Sequence, residues 1–243
     1  MAERKERPRS ERAKEQYVER LFASIAARYD LLNSVISFNR HKSWRRFAVK
    51  AAGLAPGNMA LDVAAGTGDF SFELAGAVGG SGEVVALDLC PPMIEIGRRK
   101  AARRGAANVR WTVGNAADLP FRAETFDCAV IGFALRNVAN VQRTIEEMTR
   151  VVKRGGRVIS LEIIRPTSRL FRPLWAVYFN GLLPGIAGIF GGKREAYTYL
   201  PESVKRFYSR QELSQIMLDA GLTDVRVHAL TMGVVCAHVG VKL

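Results

Sequence analysis

The chain has few cysteines and histidines, and their arrangement excludes several classes of protein. Its 243 residues hold three cysteines, Cys90, Cys128 and Cys236, and three histidines. The cysteines are odd in number and show neither a CxxC pair nor cysteine–histidine spacing. The sequence therefore supports neither a disulfide framework nor a zinc site, and it predicts a reducing, cytoplasmic location without a bound metal.

Long apolar runs are also missing. The segment LWAVYFNGLLPGIAGIF (174–190) approaches the length of a membrane span, but Asn180, Pro184 and three glycines interrupt it. We expect a buried or interfacial segment there. The start, MAERKERPRSERAK, lacks the apolar core of a signal peptide. We expect residues 1–14 to form a disordered basic tail and residues 15–243 to form a single domain.

Acidic residues are scarce relative to basic ones. Lysine and arginine number 36 against 23 acids, which gives a net charge of +13. Such an excess favours nucleic acid, anionic lipid head groups or an acidic ligand, and by itself does not choose among them. Hydrophobic residues make up 48% of the chain and charged residues 24%, which is ordinary for a globular protein with a sizeable core.

Strand-like and helical patterns alternate along the chain. Strands are predicted near 59–63, 83–88, 109–113, 126–132 and 157–163, and helices over 14–29, 41–52, 69–77, 91–104 and 140–153, the last stopped by Gly155-Gly156. Two more strands joined by a tight turn at Met232-Gly233 end the chain as an antiparallel pair. This order predicts an α/β fold with a doubly wound, mostly parallel sheet of seven strands and an antiparallel C-terminal strand.

The stretch ALDVAAGTGDF (60–70) contains a glycine turn after the first strand. Ligands of such sheets bind at the carboxyl ends of the strands, and Gly66 and Gly68 permit close approach to the backbone. A dinucleotide fingerprint requires a third glycine where this chain has Ser71. Asp62 suits a ligand with a cationic amine, such as S-adenosylmethionine. The structural alternative is that Asp62 and Asp69 merely cap the following helix.

Polar residues also follow the next strands. Asp88 ends the second strand, where a carboxylate accepts hydrogen bonds from both ribose hydroxyls; the alternative is a cap for the helix at Pro91. Asn115 in GNAADLPF offers an amide to an adenine edge, and Asp118 does so less directly. Small or polar groups at four successive strand ends favour S-adenosylmethionine over NAD.

The segments LDVAAGTGDF, ALDLCPPM, GNAADLPF, GFALRNV and RVVKRGGRVISLE resemble a class I S-adenosylmethionine methyltransferase, which has a Rossmann-like fold. The segments FASIAARYDLLNSVISFNRHKSWRR, LRNV, YTYLPESVKRF and GVVCAHVGVK narrow the resemblance to the C-methyltransferases of menaquinone and ubiquinone biosynthesis. The resemblance extends from about Tyr17 to Leu243.

The resemblance implies a cofactor and its contacts. S-adenosylmethionine would contact Thr67, Asp88, Asn115 and Ala116. The family's usual serine of the fourth strand is Gly132 in this chain, so only backbone serves there. The implied reaction is C-methylation of demethylmenaquinol, with 2-polyprenyl-6-methoxy-1,4-benzoquinol as the alternative. The departures Ala65, Asn39 and Arg154 affect the choice of quinone more than the choice of cofactor.

The reaction class suggests roles for residues beyond the fourth strand. Arg136 and Asn137 could orient the acceptor and stabilise its phenolate. Arginine does not deprotonate, so a water, His41, Tyr197 or Tyr199 would accept the phenolic proton. The alternatives are that His41 caps a helix and that the two tyrosines are packing residues.

The apolar insertion at about 166–207 is predicted to form a lid or channel wall for a polyprenyl tail, with a core helix as the alternative. The expected partners are a polyprenyl quinol and, peripherally, an anionic membrane at the inner face of the plasma membrane. The basic residues are dispersed, so nucleic acid is not expected. An RNA or DNA methyltransferase and a non-catalytic S-adenosylmethionine-binding subunit are the rival hypotheses.

Overall fold

The computed structural model describes residues 10–166, 173, 177, 178, 181 and 194–243, without the side chains of residues 194–198. In this part of the chain a seven-stranded sheet has the order β3-β2-β1-β4-β5-β7-β6. Its strands are β1 (Met59–Val63), β2 (Glu83–Asp88), β3 (Val109–Val113), β4 (Phe126–Gly132), β5 (Val152–Ile163), β6 (Leu222–Leu230) and β7 (Val235–Lys242). Strands β1 to β5 are parallel, and β7 is antiparallel to β5 and β6. The predicted fold class is confirmed.

Helices cover both faces of the sheet. They are α1 (Glu11–Ile25), α2 (Tyr29–Ile36), α3 (Arg40–Ala52), α4 (Asp69–Val78), α5 (Pro91–Arg104), α6 (Val141–Val151), α7 (Arg194–Arg206) and α8 (Arg210–Asp219). Their starts carry side-chain caps where the sequence provides them. Ser10 accepts from the backbone of α1, Asn140 from that of α6, and Ser209 forms a capping box with Glu212 on α8.

The core has two layers because the parallel strands are buried on both faces. Leu61 and Val63 of β1 point to the layer that contains α6 and α8, whereas Ala60 of the same strand points to the layer of α3 and α4. The large side chains Leu74 and Met148 are fully buried in the two layers. Each such side chain contributes about 1.5–3 kcal/mol relative to an exposed one. The strand ends between these layers are consequently held in fixed positions.

Two predicted boundaries are wrong. The predicted helix over 14–29 begins earlier, at Glu11 inside the expected tail, and ends at Ile25; a short 3-10 turn then leads into α2. Helix α6 ends at Val151, and Gly155-Gly156 lies inside β5 instead of stopping a helix. A Cβ on Gly156 would lie 2.6 Å from the carbonyl oxygen of Asp127, so close packing explains that glycine.

The predicted turn at Met232-Gly233 is confirmed as a 3-10 turn between β6 and β7. Most of the apolar insertion predicted at 166–207 lies outside the described residues, although its last part contains α7. The single-domain boundary at residue 15 stays a prediction. Among the helices of the described residues, none combines the length and the apolar character that a membrane span requires.

Candidate active site

A first cavity of about 770 Å³, including its open mouth, lies at the carboxyl ends of β1, β2, β3 and β4. One wall consists of strand-end residues, among them Ala64, Gly66, Asp88, Asn115, Ala116 and Gly132. Helix α1 forms the opposite wall with Glu15, Val18, Glu19 and Phe22. Five of the predicted cofactor residues therefore line one cavity, as expected from the rule that parallel strands present their ligand sites at this edge.

Asp88 organises the wall of the first cavity. Its Oδ2 accepts a hydrogen bond from the backbone N–H of Gly66 at 2.7 Å, and its Oδ1 accepts one from the N–H of Cys90 at 2.8 Å. Burial raises the pKa of Asp88, and the backbone donors oppose that rise. A carboxylate has about four lone-pair sites, so two backbone bonds leave capacity for a ligand diol.

Helix α1 covers the first cavity through polar contacts with strand-end loops. Glu15 Oε1 accepts from Asn115 Nδ2 at 2.8 Å, and Lys14 Nζ donates to the carbonyl oxygen of Val138 at 2.5 Å. Asn115 Oδ1 accepts from the N–H of Ala117 at 2.9 Å, which fixes the amide orientation. The sequence predicted a helix over 14–29 but not its contact with the strand ends, because Glu15 and Asn115 are 100 residues apart in the chain.

Asn137 also lines the first cavity, on the side opposite to Asp88 along the strand order. Its Oδ1 is buried and has no hydrogen-bond partner within the described residues. An orphaned acceptor on a cavity wall is costly unless a ligand donor satisfies it. Asn137 thus shares a cavity with the predicted cofactor residues, and its predicted role in orienting the acceptor stays a prediction.

Asp62 and Gly68, two of the predicted cofactor residues, do not line the first cavity. Asp62 is only 1% exposed and accepts a hydrogen bond from Ser71 Oγ at 2.6 Å, because its place in β1 turns the side chain toward α4. Gly68 precedes α4 with φ of 84°, and a Cβ there would lie 2.3 Å from the ring of Trp111. The second glycine therefore serves the turn and the packing.

Thr67 is likewise engaged away from the first cavity. Its Oγ1 donates to Asp30 Oδ1 at 2.5 Å and accepts from Lys100 Nζ at 3.2 Å. Lys100 also bonds Asp30 and Asp69, at 2.7 and 2.6 Å. The threonine side chain thus joins α2, α4 and α5 in one network.

The buried Asp62 carboxyl predicts a pH-dependent stability. Burial raises its pKa to about 7, against about 3.9 in an unfolded chain. The protonated Asp62 carboxyl makes its full contribution to the free energy of unfolding below its pKa in the unfolded chain. This contribution is lost as the pH rises through about 7. Asparagine cannot ionise, so the free energy of unfolding of Asp62→Asn relative to the parent should rise by on the order of 2 kcal/mol between about pH 5 and about pH 8.

Urea unfolding at several pH values measures this difference. Asp127→Asn serves as the control, since Asp127 is only partly buried and forms an ion pair with Lys153. If the free energy of unfolding of Asp62→Asn relative to the parent does not change with pH, the assignment is wrong. If it rises with pH but is also shifted by the same amount at every pH, that shift reports only the altered hydrogen bond to Ser71.

A second cavity of about 810 Å³ adjoins the first. Its walls are mostly apolar and come from α1, α2, α3 and the neighbourhood of α7; they include Leu21, Ile25, Leu32, Ile36, Trp44, Ile163 and Leu200. The polar residues among them include His41, Arg45, Arg136 and Tyr199. Phe22, Tyr29 and Phe133 line both cavities and form the partition between them.

Arg136 lines the second cavity in a buried ion pair with Glu162. Its Nη1 donates to Glu162 Oε1 and, at 2.6 Å, to the carbonyl oxygen of Phe133; its backbone N–H donates to Glu162 Oε2 at 3.2 Å. The guanidinium Nε is buried without a partner in the described structure. Sequence reasoning missed Glu162, although an acid between the apolar residues of β5 was a usable signal.

His41 lines the second cavity, but both of its ring nitrogens have partners. Nδ1 accepts from Arg45 Nη1, and Nε2 lies 3.3 Å from Ser34 Oγ. Burial, and after it the Arg45 charge, lowers the pKa of His41 to about 4, so the ring is neutral near pH 7. Arg45 also lies 3.5 Å from Asp69. No sequence pattern indicated that Arg45 would line this cavity.

The two tyrosines proposed as bases differ in what the structure describes. Tyr197 lies in α7, and its side chain is outside the described residues. Tyr199 lines the second cavity, and burial raises the pKa of its phenol to about 12. A phenol with that pKa stays protonated and donates a hydrogen bond at neutral pH.

Phe133 has a strained backbone at the end of β4. Its φ is 58°, which is rare for a bulky residue, and Ala64 at the end of the adjacent β1 has φ of 55°. The Phe133 N–H donates to Leu161 at 2.7 Å, and its ring lies 5.6 Å from the guanidinium carbon of Arg45. Strain of this kind persists where surrounding contacts impose it, and it is concentrated at functional sites.

Comparison with known proteins assigns the chain to a family. The family model of the ubiE/COQ5 methyltransferase family matches residues 10–242. The chain belongs to this family. A demethylmenaquinone methyltransferase of Bacillus cytotoxicus is 43% identical over 232 residues, which cover 96% of this chain and 98% of that one. The protein of the same name from Geobacillus sp. (strain WCH70) is 44% identical over 95% and 98% of the two chains.

Solved structures support the fold of this methyltransferase. A SAM-dependent methyltransferase from Thermotoga maritima superposes with a TM-score of 0.65 at 22% identity, over 93% of this chain and 100% of that one. One from Aquifex aeolicus superposes with a TM-score of 0.62 at 22% identity, over 82% and 89%. At these identities the likeness shows the fold alone. Family membership and fold together make the chain an S-adenosylmethionine-dependent methyltransferase.

Close packing explains why residue 132 of this methyltransferase is a glycine. A Cβ at that position would lie 2.7 Å from Cδ1 of Phe70, whose ring is buried beneath the end of β4. A serine at this position would therefore displace the ring. Gly132 lines the first cavity, where its missing side chain leaves the backbone accessible.

Proposed function

We propose that this methyltransferase transfers the methyl group of S-adenosylmethionine to a ring carbon of demethylmenaquinol, giving menaquinol. The single observation that carries the proposal is the pair of orphaned polar atoms on consecutive residues. Asn137 Oδ1 belongs to a residue of the first cavity and Arg136 Nε to a residue of the second. A ligand that donates a hydrogen bond to Asn137 Oδ1 and a second ligand that accepts one from Arg136 Nε would satisfy both atoms.

The residues of the first cavity fit S-adenosylmethionine. Asp88 retains lone pairs for ribose hydroxyls, and Asn137 Oδ1 supplies an acceptor for the amine of the methionine part. Asn115 would exchange its bond to Glu15 for the adenine edge. Bound S-adenosylmethionine supplies an electrophilic methyl group on a positively charged sulfur. Asp62, Thr67 and Gly68 hold the strand-end turn in place behind these residues.

The second cavity fits a flat aromatic acceptor with an apolar tail. Its aromatic and aliphatic walls exclude water, and the Arg136 guanidinium offers a fixed positive charge with one unused donor. Loss of a phenolic proton sends electron density to the neighbouring ring carbon, so the reduced quinol is the reactive form. A preorganised cation beside the phenolate stabilises the charge without reorganisation.

Glu162 is a positioning residue for Arg136. It accepts from both the backbone N–H and the side chain of Arg136, which fixes the guanidinium plane. Neither nitrogen of His41 is unpaired, and Tyr199 holds its proton at neutral pH. We therefore propose that water takes the phenolic proton. The ring carbon takes the methyl group as the S–CH3 bond breaks and a neutral thioether leaves; a water then accepts the ring proton and aromaticity returns.

The naphthoquinol is favoured over the alternative benzoquinol because the relatives compared above are demethylmenaquinone methyltransferases. We further propose that the chain works peripherally at an anionic membrane, where polyprenyl quinols reside. The RNA-methyltransferase and non-catalytic hypotheses do not account for the apolar second cavity or the buried Arg136 charge within it.

An acceptor panel tests the proposal. Purified protein is incubated with S-adenosylmethionine and either reduced demethylmenaquinol, the reduced methoxybenzoquinol, total RNA or no acceptor, and product is followed by mass spectrometry. We expect methylation of demethylmenaquinol at the highest kcat/KM. A higher kcat/KM on the benzoquinol overturns the substrate assignment, methyl transfer to RNA overturns the substrate class, and no transfer to any acceptor supports the non-catalytic hypothesis.

A further inference from the structure

One face of α3 and the turn before it carry a basic stripe with an exposed aromatic residue at its end. We call this the docking face; it comprises Phe38, Arg40, Lys42, Arg46 and Lys50, all of which are exposed. Lys42, Arg46 and Lys50 recur every four residues, which places them along one side of the helix. Residues 31–61 contain no aspartate or glutamate.

The cations of the docking face are not neutralised by the protein. Within the described parts of the chain, neither Lys42, Arg46 nor Lys50 forms an ion pair with an acid. The basic helix α5 behaves differently, because Lys100 bonds Asp30 and Asp69, and Arg99 lies 3.4 Å from Glu95. The docking face is therefore a local excess of positive charge that attracts an anionic surface.

The opposite side of α3 forms the wall of the second cavity. His41, Trp44 and Arg45 are buried and line that cavity, whereas the docking face points away from them. A single helix thus joins the proposed acceptor site to a charged outer surface.

Phe38 is adjacent in sequence to residues of the second cavity, and its ring centroid lies 5.9 Å from that of Tyr178. Its side chain is 72% exposed, and its φ is 50°, an uncommon conformation for an aromatic residue. The turn is held by a bond from the Asn39 N–H to Ser34 at 2.8 Å. The preceding residues Ile36 and Ser37 line the second cavity. The fold therefore maintains a strained turn that presents an aromatic ring to the outside beside an apolar cavity.

We propose that the docking face binds an anionic lipid bilayer, with the lysines and arginines on phosphate head groups and Phe38 inserted at the interface. Anionic lipids attract clusters of lysine and arginine at the membrane surface, and salt weakens this attraction. The consequence for the second cavity rests on the proposed function: a polyprenyl quinol dissolved in the bilayer would reach the site at the rim formed by Ile36 and Ser37.

Vesicle sedimentation tests the location of the charge. The triple variant Lys42→Gln, Arg46→Gln, Lys50→Gln is compared with the control Arg98→Gln, Arg99→Gln, Arg103→Gln on exposed positions of α5. Both lower the net charge of +13 by three, so the comparison separates the position of the removed charges from their number. On vesicles of phosphatidylcholine with phosphatidylglycerol, the first variant should bind about tenfold or more weakly than the parent, and the control should stay within about twofold.

Phe38 is tested separately by fluorescence. In Phe38→Trp, brominated phospholipids should quench the added tryptophan beyond the quenching of the parent's own tryptophans, and Phe38→Ser should weaken vesicle binding. If both triple variants weaken vesicle binding equally, or if Phe38→Trp shows no added quenching, the proposal that the docking face binds the bilayer is wrong. Binding of the parent to RNA but not to anionic vesicles assigns the stripe to nucleic acid and also overturns it.

A tail-less naphthoquinol in vesicle-free buffer separates this inference from the proposed function. The docking variants should methylate that soluble acceptor at the parent's rate, because their side chains lie outside both cavities. If the parent methylates it but does not sediment with anionic vesicles, the docking proposal fails and the proposed function stands. If the parent sediments but methylates no quinol, the proposed function fails instead.

Discussion

Arg136→Lys should lower turnover on the quinol by about 100-fold or more, which is the usual cost of removing one donor to a developing oxyanion. The dissociation constant for S-adenosylmethionine should change by less than about twofold. Lysine keeps a positive charge beside Glu162 but loses the planar fork and the unpaired Nε donor, which an ammonium on a flexible stem cannot replace.

The charge-conserving change is chosen because Glu162 is fully buried. Removing the cation altogether would strand that carboxylate at a cost of about 3–5 kcal/mol in stability. Arg143→Lys on the exposed side of α6 is the matched control and should leave turnover unchanged. Single-turnover kinetics and calorimetry provide the two readouts. A normal rate in Arg136→Lys, or a parallel loss of cofactor affinity, contradicts the acceptor-side role.

Asp88→Ala should weaken S-adenosylmethionine binding by about 1–3 kcal/mol, or roughly 5- to 150-fold, because ligand hydroxyls lose their acceptor. The variant also strands the N–H groups of Gly66 and Cys90, which belong to the wall of the first cavity. Asp88→Asn keeps one carbonyl acceptor and should therefore lose less affinity than the alanine variant.

Asp127→Ala separates cofactor binding from stability. Like Asp88, Asp127 accepts a hydrogen bond from a backbone N–H, that of Met59 at 2.8 Å, and it also pairs with Lys153 at 2.8 Å. Unlike Asp88, it lies at the amino ends of the parallel strands, away from the first cavity. Asp127→Ala should lower the free energy of unfolding and leave the affinity for S-adenosylmethionine unchanged. If calorimetry finds the same affinity in folded Asp88→Ala as in the parent, the placement of the cofactor is wrong.

The sheet could be predicted because most of its strands are short, largely apolar and followed by glycine, proline or a polar turn. The same reasoning predicted that Asp88, Asn115 and Gly132 would share one edge, since parallel strands end together. It did not predict that Asp62 and Thr67 would turn away from that edge. Side-chain direction at a strand end depends on the local twist and on partners such as Ser71 and Asp30, which are distant in sequence.

The second cavity was harder to predict because long-range contacts build it. Arg136 was identified from its motif, but Glu162 is 26 residues away, and their pairing follows from the adjacency of β4 and β5. The positive φ of Phe133 has no sequence signal, because aromatic residues rarely adopt it.

The central claim, methyl transfer to a ring carbon of a reduced naphthoquinol, is tested most directly with S-adenosylmethionine that carries a trideuterated methyl group. Demethylmenaquinol is supplied either reduced or oxidised, and the product is analysed by mass spectrometry and proton NMR. We predict a trideuteromethyl group on carbon, with loss of the ring proton signal, from the reduced acceptor only. A product methylated on oxygen, or equal methylation of the oxidised quinone, would contradict the account.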